Sequence, residues 1–138
     1  MLSFVGRLQD ESLMWTYDQK SGQLSRDGAN IIRGYSGAGE GKNRPEDQEI
    51  HNVGPIPRGK YTINAPQDTV THGPYVLPLT PNSENEMFGR DGFLIHGDSK
   101  VDPGTASEGC VILPRNIRER IWASGDTEFT VVLCLGSS

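Results

Sequence analysis

The stretch FLIHGDSKVDPGTASEGCVIL, residues 93–113, decides the reading of this chain. Phe93 to His96 is a short apolar run without helical period, which reads as a central strand. Gly97 to Gly109 is polar, carries Gly and Pro, and reads as a loop. Val111 to Leu113 is apolar again and extended. Pro114 to Ala123 then reads as a helix: Pro suits a first helical turn, Ile117 and Ile121 repeat at i, i+4, and Gly125 follows as a stop.

Outward from this stretch the pattern is of strands. Leu13, Trp15 and Tyr17 share one parity, Asp18 to Gly22 is a polar turn, Leu24 to Ser25 returns, and Ile31 to Tyr35 reads as one further strand. Ser36 to Pro57 holds four Gly and three Pro and has no period, and a loop of that length in a small domain is usually functional or disordered. Gly54 to Gly59 (GPIPRG) reads as a turn. Lys60 to Asn64 is a strand with Tyr61 and Ile63 on one face. Tyr75 to Leu79 is extended, with Pro78 marking an edge or a bulge, and Thr127 to Leu135 is a closing strand. The expectation is a mainly β chain, a single domain over 1–138, with one short helix at about 114–123.

Composition narrows the function. Thirteen basic residues stand against 18 acidic, a net charge of -5, which disfavours nucleic acid and anionic membranes as partners. No run approaches the roughly 18 apolar residues of a membrane helix, and the first residues, MLSFVGRLQDE, lack the basic and long apolar regions of a Sec signal. Cys110 and Cys134 do not form a zinc motif, and His51, His72 and His96 are not at ligand spacings, so no metal or cofactor is expected.

The chemistry lies at the two ends of the 97–109 loop. A strand ends in an imidazole, and a thiol stands just past a Gly at the start of the next strand. A thiol needs a nearby base or cation to raise its thiolate fraction, and placing His96 and Cys110 at the ends of neighbouring strands would allow that contact. Gly109 permits a turn tight enough to aim N–H groups at an oxyanion, and the Ser107 hydroxyl can steady that turn. A lone Cys is also most often a small buried hydrophobe, and a lone His a satisfied polar residue, so spacing leaves both readings open.

His96-Gly97, a loop, and Ser107-x-Gly109-Cys110 before an apolar residue resembles the active-site signature of L,D-transpeptidases. Gly34-Tyr35-Ser36-Gly37, Gly41-Lys42-Asn43, Pro45 and Gly54-Pro55-Ile56-Pro57-x-Gly59-x-Tyr61 resemble the L,D-transpeptidase-like toxins of type VI secretion systems, as does Trp15-x-Tyr17 before a Ser-Gly turn. The resemblance spans about residues 13–135. It implies a β-sandwich or barrel domain acting on peptidoglycan stem tetrapeptides, with Cys110 as nucleophile, His96 as general base and acid, and Gly109 and Cys110 N–H groups at the oxyanion. It further implies delivery by type VI components without a Sec signal, action in the periplasm of a target bacterium, and a cognate immunity protein. Two positions depart from the wider family: Glu108 stands where many members have His, and Ile112 where many have Asn or Arg.

Substrate contacts are expected from Glu108, Gly97, Tyr35, Ser36 and Arg115: Glu108 could meet an ammonium, orient His96 or be a solvated loop acid, Arg115 could clamp a carboxylate or pair at the surface, and Tyr35 and Ser36 could line the cleft or pack. Arg33, Arg58 and Arg90 are further carboxylate clamps or surface ion pairs, and His51 and His72 read as surface residues. Two alternatives stay open: another cysteine peptidase or amidase of peptidoglycan, and a non-catalytic binding module with a Cys110–Cys134 disulfide.

Overall fold

The computed structural model describes residues 14–133. Ten strands run through them: β1 (Trp15–Asp18), β2 (Gln23–Arg26), β3 (Ala29–Arg33), β4 (Tyr35–Ser36), β5 (Gly59–Ile63), β6 (Gln67–Thr69), β7 (Gly73–Pro81), β8 (Leu94–His96), β9 (Val111–Ile112) and β10 (Glu128–Val132). One α-helix, α1 (Arg115–Ala123), follows β9, and the 3-10 turns Gly39–Gly41 and Pro45–Asp47 punctuate the long loop. Among the described residues the fold is mainly β with one short helix, as the residue pattern predicts. Leu13 and Cys134 lie outside the described residues. No helix among those residues is long and apolar enough to cross a membrane.

Period-2 patterning makes the strands. β5 buries Tyr61 and Ile63 and turns Lys60 and Thr62 to solvent, and β10 buries Phe129 and Val131. Helix α1 buries Ile117 and Ile121 and ends before Gly125, whose φ of 76° stops it. Each such apolar side chain withdrawn from water stabilises the fold by about 1.5–3 kcal/mol.

The strands pair in the order β3-β2-β1-β10-β5-β7-β8-β9-β4, with β6 on β7. The two ends of that path, β3 and β4, are separated in the chain by Gly34 alone, so the sheet curls until its ends meet. Gly34 allows the join: its N–H donates to the Gly22 carbonyl at 2.8 Å, and a Cβ there would stand 2.0 Å from the Ile112 carbonyl oxygen. The expected single strand over Ile31–Tyr35 therefore divides, one half pairing β2 and the other β9.

Pro78 corrects a second expectation. β7 is nine residues long and lies between β5 and β8, not at an edge. The Pro78 carbonyl accepts the Asn64 N–H at 2.9 Å, just past the end of β5. Its nitrogen faces the same side, so the missing donor falls at the last rung of the β5–β7 ladder and interrupts nothing. The Gly54–Gly59 segment, expected as a turn, instead threads inward and buries Ile56 completely.

β8 and β9 are parallel, with Ile95 opposite Val111 and His96 opposite Ile112. A parallel pair needs a crossover of a dozen or more residues, and the 97–110 loop supplies it without a helix. Ile95 and Val111 point into the core with Leu77. His96, one position on, therefore faces away from that core.

Candidate active site

Continuing the β8–β9 register back by one residue sets Cys110 level with Leu94, on the face that carries His96. Diagonal neighbours on one sheet face stand roughly 7–8 Å apart, within reach of long or aromatic side chains. Both residues line one cleft of about 1100 Å³, whose walls come from the 97–110 loop, the turn before β7, the approach to β8 and the start of α1. The thiol is half-buried and reachable; it is free, and its proposed partner Cys134 lies outside the described residues.

His96 is 3% exposed, and its Nδ1 lies 2.9 Å from the Gly97 carbonyl oxygen. A carbonyl only accepts, so Nδ1 carries the proton and Nε2 is left as a bare acceptor. That is the tautomer a general base needs. Burial lowers the His96 pKa most; the Gly97 hydrogen bond opposes this, while His72 and Arg118 add to it. Gly97 serves through its backbone, and a Cβ there would come 3.2 Å from an Arg118 nitrogen.

Burial pushes the Cys110 thiol up to about 11, partly offset by the Leu94 backbone hydrogen bond and the Arg90 charge, with Glu108 acting the other way. With the imidazole's affinity for a proton lowered and the thiol's raised, the resting pair is neutral. A thiol in that state would have to lose its proton as it attacks.

Ser107 is 1% exposed and knots the turn before the thiol. Its Oγ donates to the Cys110 carbonyl at 2.6 Å and accepts the Gly109 and Gly37 N–H groups at 3.0 and 2.8 Å. The Gly109 N–H is thus spent inside the turn and does not face an oxyanion, a correction to the expected pair of donors. Gly109 itself has φ of 146°, a conformation open to glycine.

Tyr35 and Ser36 are not cleft walls. Ser36 is fully buried, and its Oγ donates to the Gly109 carbonyl and accepts the Ile56 N–H, both at 2.9 Å. Tyr35 holds the loop from behind: its hydroxyl donates to Asp98 Oδ1 at 2.5 Å and accepts the Ala106 N–H at 2.8 Å. Neither residue lines the cleft; both brace its wall from behind. Glu108 and Arg115 do line the cleft, Arg115 pairing with Glu119 at 3.0 Å and lying over the Tyr75 ring.

Residue reading missed two contributors. Arg90, expected as a clamp or a surface ion pair, is 6% exposed and donates to the carbonyls of Gln48, Gly54, Pro55 and Glu108. It lies over the Phe93 ring at 5.2 Å and binds the long loop to the segment before Cys110. His72, expected as a surface residue, is exposed but lines the cleft with its ring centroid 4.6 Å from that of His96. No cluster of metal-ligating side chains occurs among the described residues.

The family follows from a match over most of the chain. Residues 30–134 match the model of the Tlde1 domain. The chain belongs to the Tlde1 domain family. Membership relates it to a family of type VI secretion effectors. No curated protein matches the chain. Among solved structures, Bd1075 of Bdellovibrio bacteriovorus is similar, with a TM-score of 0.58 at 15% identity over 91% of this chain. The likeness is one of fold, and this chain spans 51% of that protein.

Proposed function

We propose that this Tlde1-domain effector is a cysteine acyltransferase of the L,D-transpeptidase or L,D-carboxypeptidase type, acting on peptidoglycan stem tetrapeptides in the periplasm of the target bacterium. The observation that carries the reading is the His96 tautomer: Nδ1 is fixed on Gly97, and Nε2 is free to act in the cleft that Cys110 lines. The family match and the resemblance of the His96-Gly97 and Ser107-x-Gly109-Cys110 motifs support the substrate class.

In this reading His96 Nε2 takes the proton from Cys110 as Sγ attacks the carbonyl carbon of the third stem residue. The carbonyl electrons move to oxygen, and with Gly109 committed to Ser107 the Cys110 N–H is the donor left of the two first considered. Collapse breaks the C–N bond, the imidazolium returns its proton to the amine, and D-alanine leaves. The thioester is then resolved by water, giving a tripeptide, or by an amine, giving exchange or a cross-link. Glu108 and Arg115 on the walls suit the ammonium and carboxylate of a zwitterionic stem residue.

The test is incubation with tetrapeptide muropeptides and mass analysis of the products. Loss of one D-alanine, or its replacement by an added D-amino acid, is expected, and Cys110→Ala should abolish both. Cleavage at any other bond would assign a different cysteine hydrolase, and failure of Cys110 to alkylate under non-reducing conditions would favour the disulfide-bonded module.

A further inference from the structure

Two imidazoles meet in this cleft. His72 sits in the turn joining β6 to β7, and its ring centroid lies 4.6 Å from that of His96, with the planes tilted by 51°. The turn holds it: the His72 N–H donates to Thr69 Oγ1 at 2.8 Å, and Nδ1 lies 2.9 Å from Thr71 Oγ1. The rings differ sharply in solvation, His96 being buried and His72 exposed.

We propose that His72 is a positioning residue for the base: its ring, in contact with that of His96, opposes a positive charge there, so that the buried His96 ring stays neutral and able to receive the thiol proton. The inference rests on the reading of Cys110 and His96 as nucleophile and base. A solvated imidazole takes up a proton more readily than a buried one. A second positive charge in ring contact is then repelled, the more so where protein replaces water. Groups this close titrate as a pair, with one proton binding well before the other.

The surrounding charges sharpen the assignment. Arg118 from α1 also opposes a proton on His96, whereas Asp98 after β8 favours one; Arg115 and Glu108 line the same cleft. Arg118 is spread over the carbonyls of Tyr75, Leu113 and Pro74, and Arg115 is paired with Glu119, so their charges are constant. Asp91, Lys100 and His51 complete the charged lining. His72 is the ring in contact with the base whose charge can switch. Its backbone, not its imidazole, anchors the turn to Thr69, so side-chain replacement leaves that hydrogen bond in place.

The experiment is an imidazole nitrogen NMR titration of the full-length 15N-labelled chain, from about pH 8 to pH 4, as wild type, His72→Gln and His72→Lys. His96→Gln assigns the signals. In His72→Gln the His96 midpoint should rise by about one pH unit, and in His72→Lys, which keeps a positive charge, it should stay at or below the wild-type value. One and the same His96 midpoint in all three proteins would overturn the proposal. The parent reading is tested separately by iodoacetamide labelling of Cys110 in wild type and His96→Gln. An unchanged labelling rate there would defeat the nucleophile–base pair without altering what the titration says about His72.

Discussion

Ser107 Oγ donates to the carbonyl oxygen of Cys110 across 2.6 Å, and that same Oγ accepts two backbone N–H groups, from Gly109 and Gly37. One buried hydroxyl thus closes the turn before Cys110 and ties it to the segment after β4. Ser107→Ala leaves two N–H groups and one carbonyl without that partner at a site 1% exposed. The expected cost is about 2–4 kcal/mol in chemical denaturation. Under the proposed reaction, D-alanine release should lose mainly kcat, with KM little changed, since the Ser107 hydroxyl is taken up by the turn that carries the sulfur. Ser107→Thr, which keeps the hydroxyl, should recover part of both. A wild-type denaturation midpoint in Ser107→Ala would remove the knot from the account.

Gly109→Ala is expected to be worse than its single added methyl suggests. The residue has φ of 146°, and a Cβ would stand 2.5 Å from Arg90 Nη2 and 3.1 Å from Phe93. The guanidinium cannot yield, because the same nitrogen donates to the Gly54 and Glu108 carbonyls. Strain of this kind costs about 1–3 kcal/mol before the clash is counted, so a lowered thermal midpoint with loss of activity is expected. An alanine variant that melts and turns over like wild type would contradict it.

His96 makes the fold acid-sensitive. Its pKa is lowered in the folded state, chiefly by burial, while in the unfolded chain it returns to about 6.5. Between those two values the unfolded chain binds more protons, so stability rises with pH there. The contribution is complete above about pH 6.5 and is lost as the pH falls below it. Melting temperatures of wild type and His96→Gln, taken from about pH 7.5 down to pH 5, should show a shallower decline in the variant. Parallel curves would mean that His96 titrates alike in both states.

For Cys110 the shift has the opposite sense. Burial raises the thiol to about 11, so the anion appears later in the pH range than it does for a free thiol near 8.5. Iodoacetamide labelling of Cys110, followed by mass, should be slow at neutral pH and still be climbing about tenfold per unit through pH 9 and 10. A plateau by pH 9 would indicate a sulfur ionised in advance. Cys110→Ala should melt close to wild type, because the side chain is small and half-buried.

The strands were legible where one face is wet and the other dry: Tyr61 and Ile63 in β5, and Phe129 and Val131 in β10, announce themselves by alternation. Helix α1 was legible from Pro114, Ile117, Ile121 and Gly125. The division of Ile31–Tyr35 at Gly34 was not, because it depends on where a curled sheet meets itself, a long-range fact. Pro78 misled because a missing donor is harmless at the last rung of a ladder, and ladder ends are not written in local sequence. At the site, His96 and Cys110 stood out by chemistry and spacing. His72 and Arg90 did not, since each acts across strands distant in the chain, and a lone His or Arg has no local signature for that.

Arg90 gives the sharpest separation between charge and shape. Its guanidinium sends Nη1 to the Gln48 and Pro55 carbonyls and Nη2 to those of Gly54 and Glu108, while its plane lies over Phe93. Two nitrogens thereby hold the long loop against the residues that precede Cys110. Lysine keeps the positive charge that favours the thiolate but has a single nitrogen, which cannot span four carbonyls or stack on the ring. If Arg90 matters as a charge near the sulfur, Arg90→Lys should retain labelling of Cys110 and most activity. If it matters as a fork, the lysine variant should lose about 2–4 kcal/mol of stability, since hydrogen bonds from charged donors contribute more than neutral ones. Its kcat should fall with it. The buried, four-carbonyl geometry selects the second outcome, and denaturation curves of Arg90→Lys beside Arg90→Met decide it: the two should be similarly destabilised, and a lysine variant as stable as wild type would refute the fork.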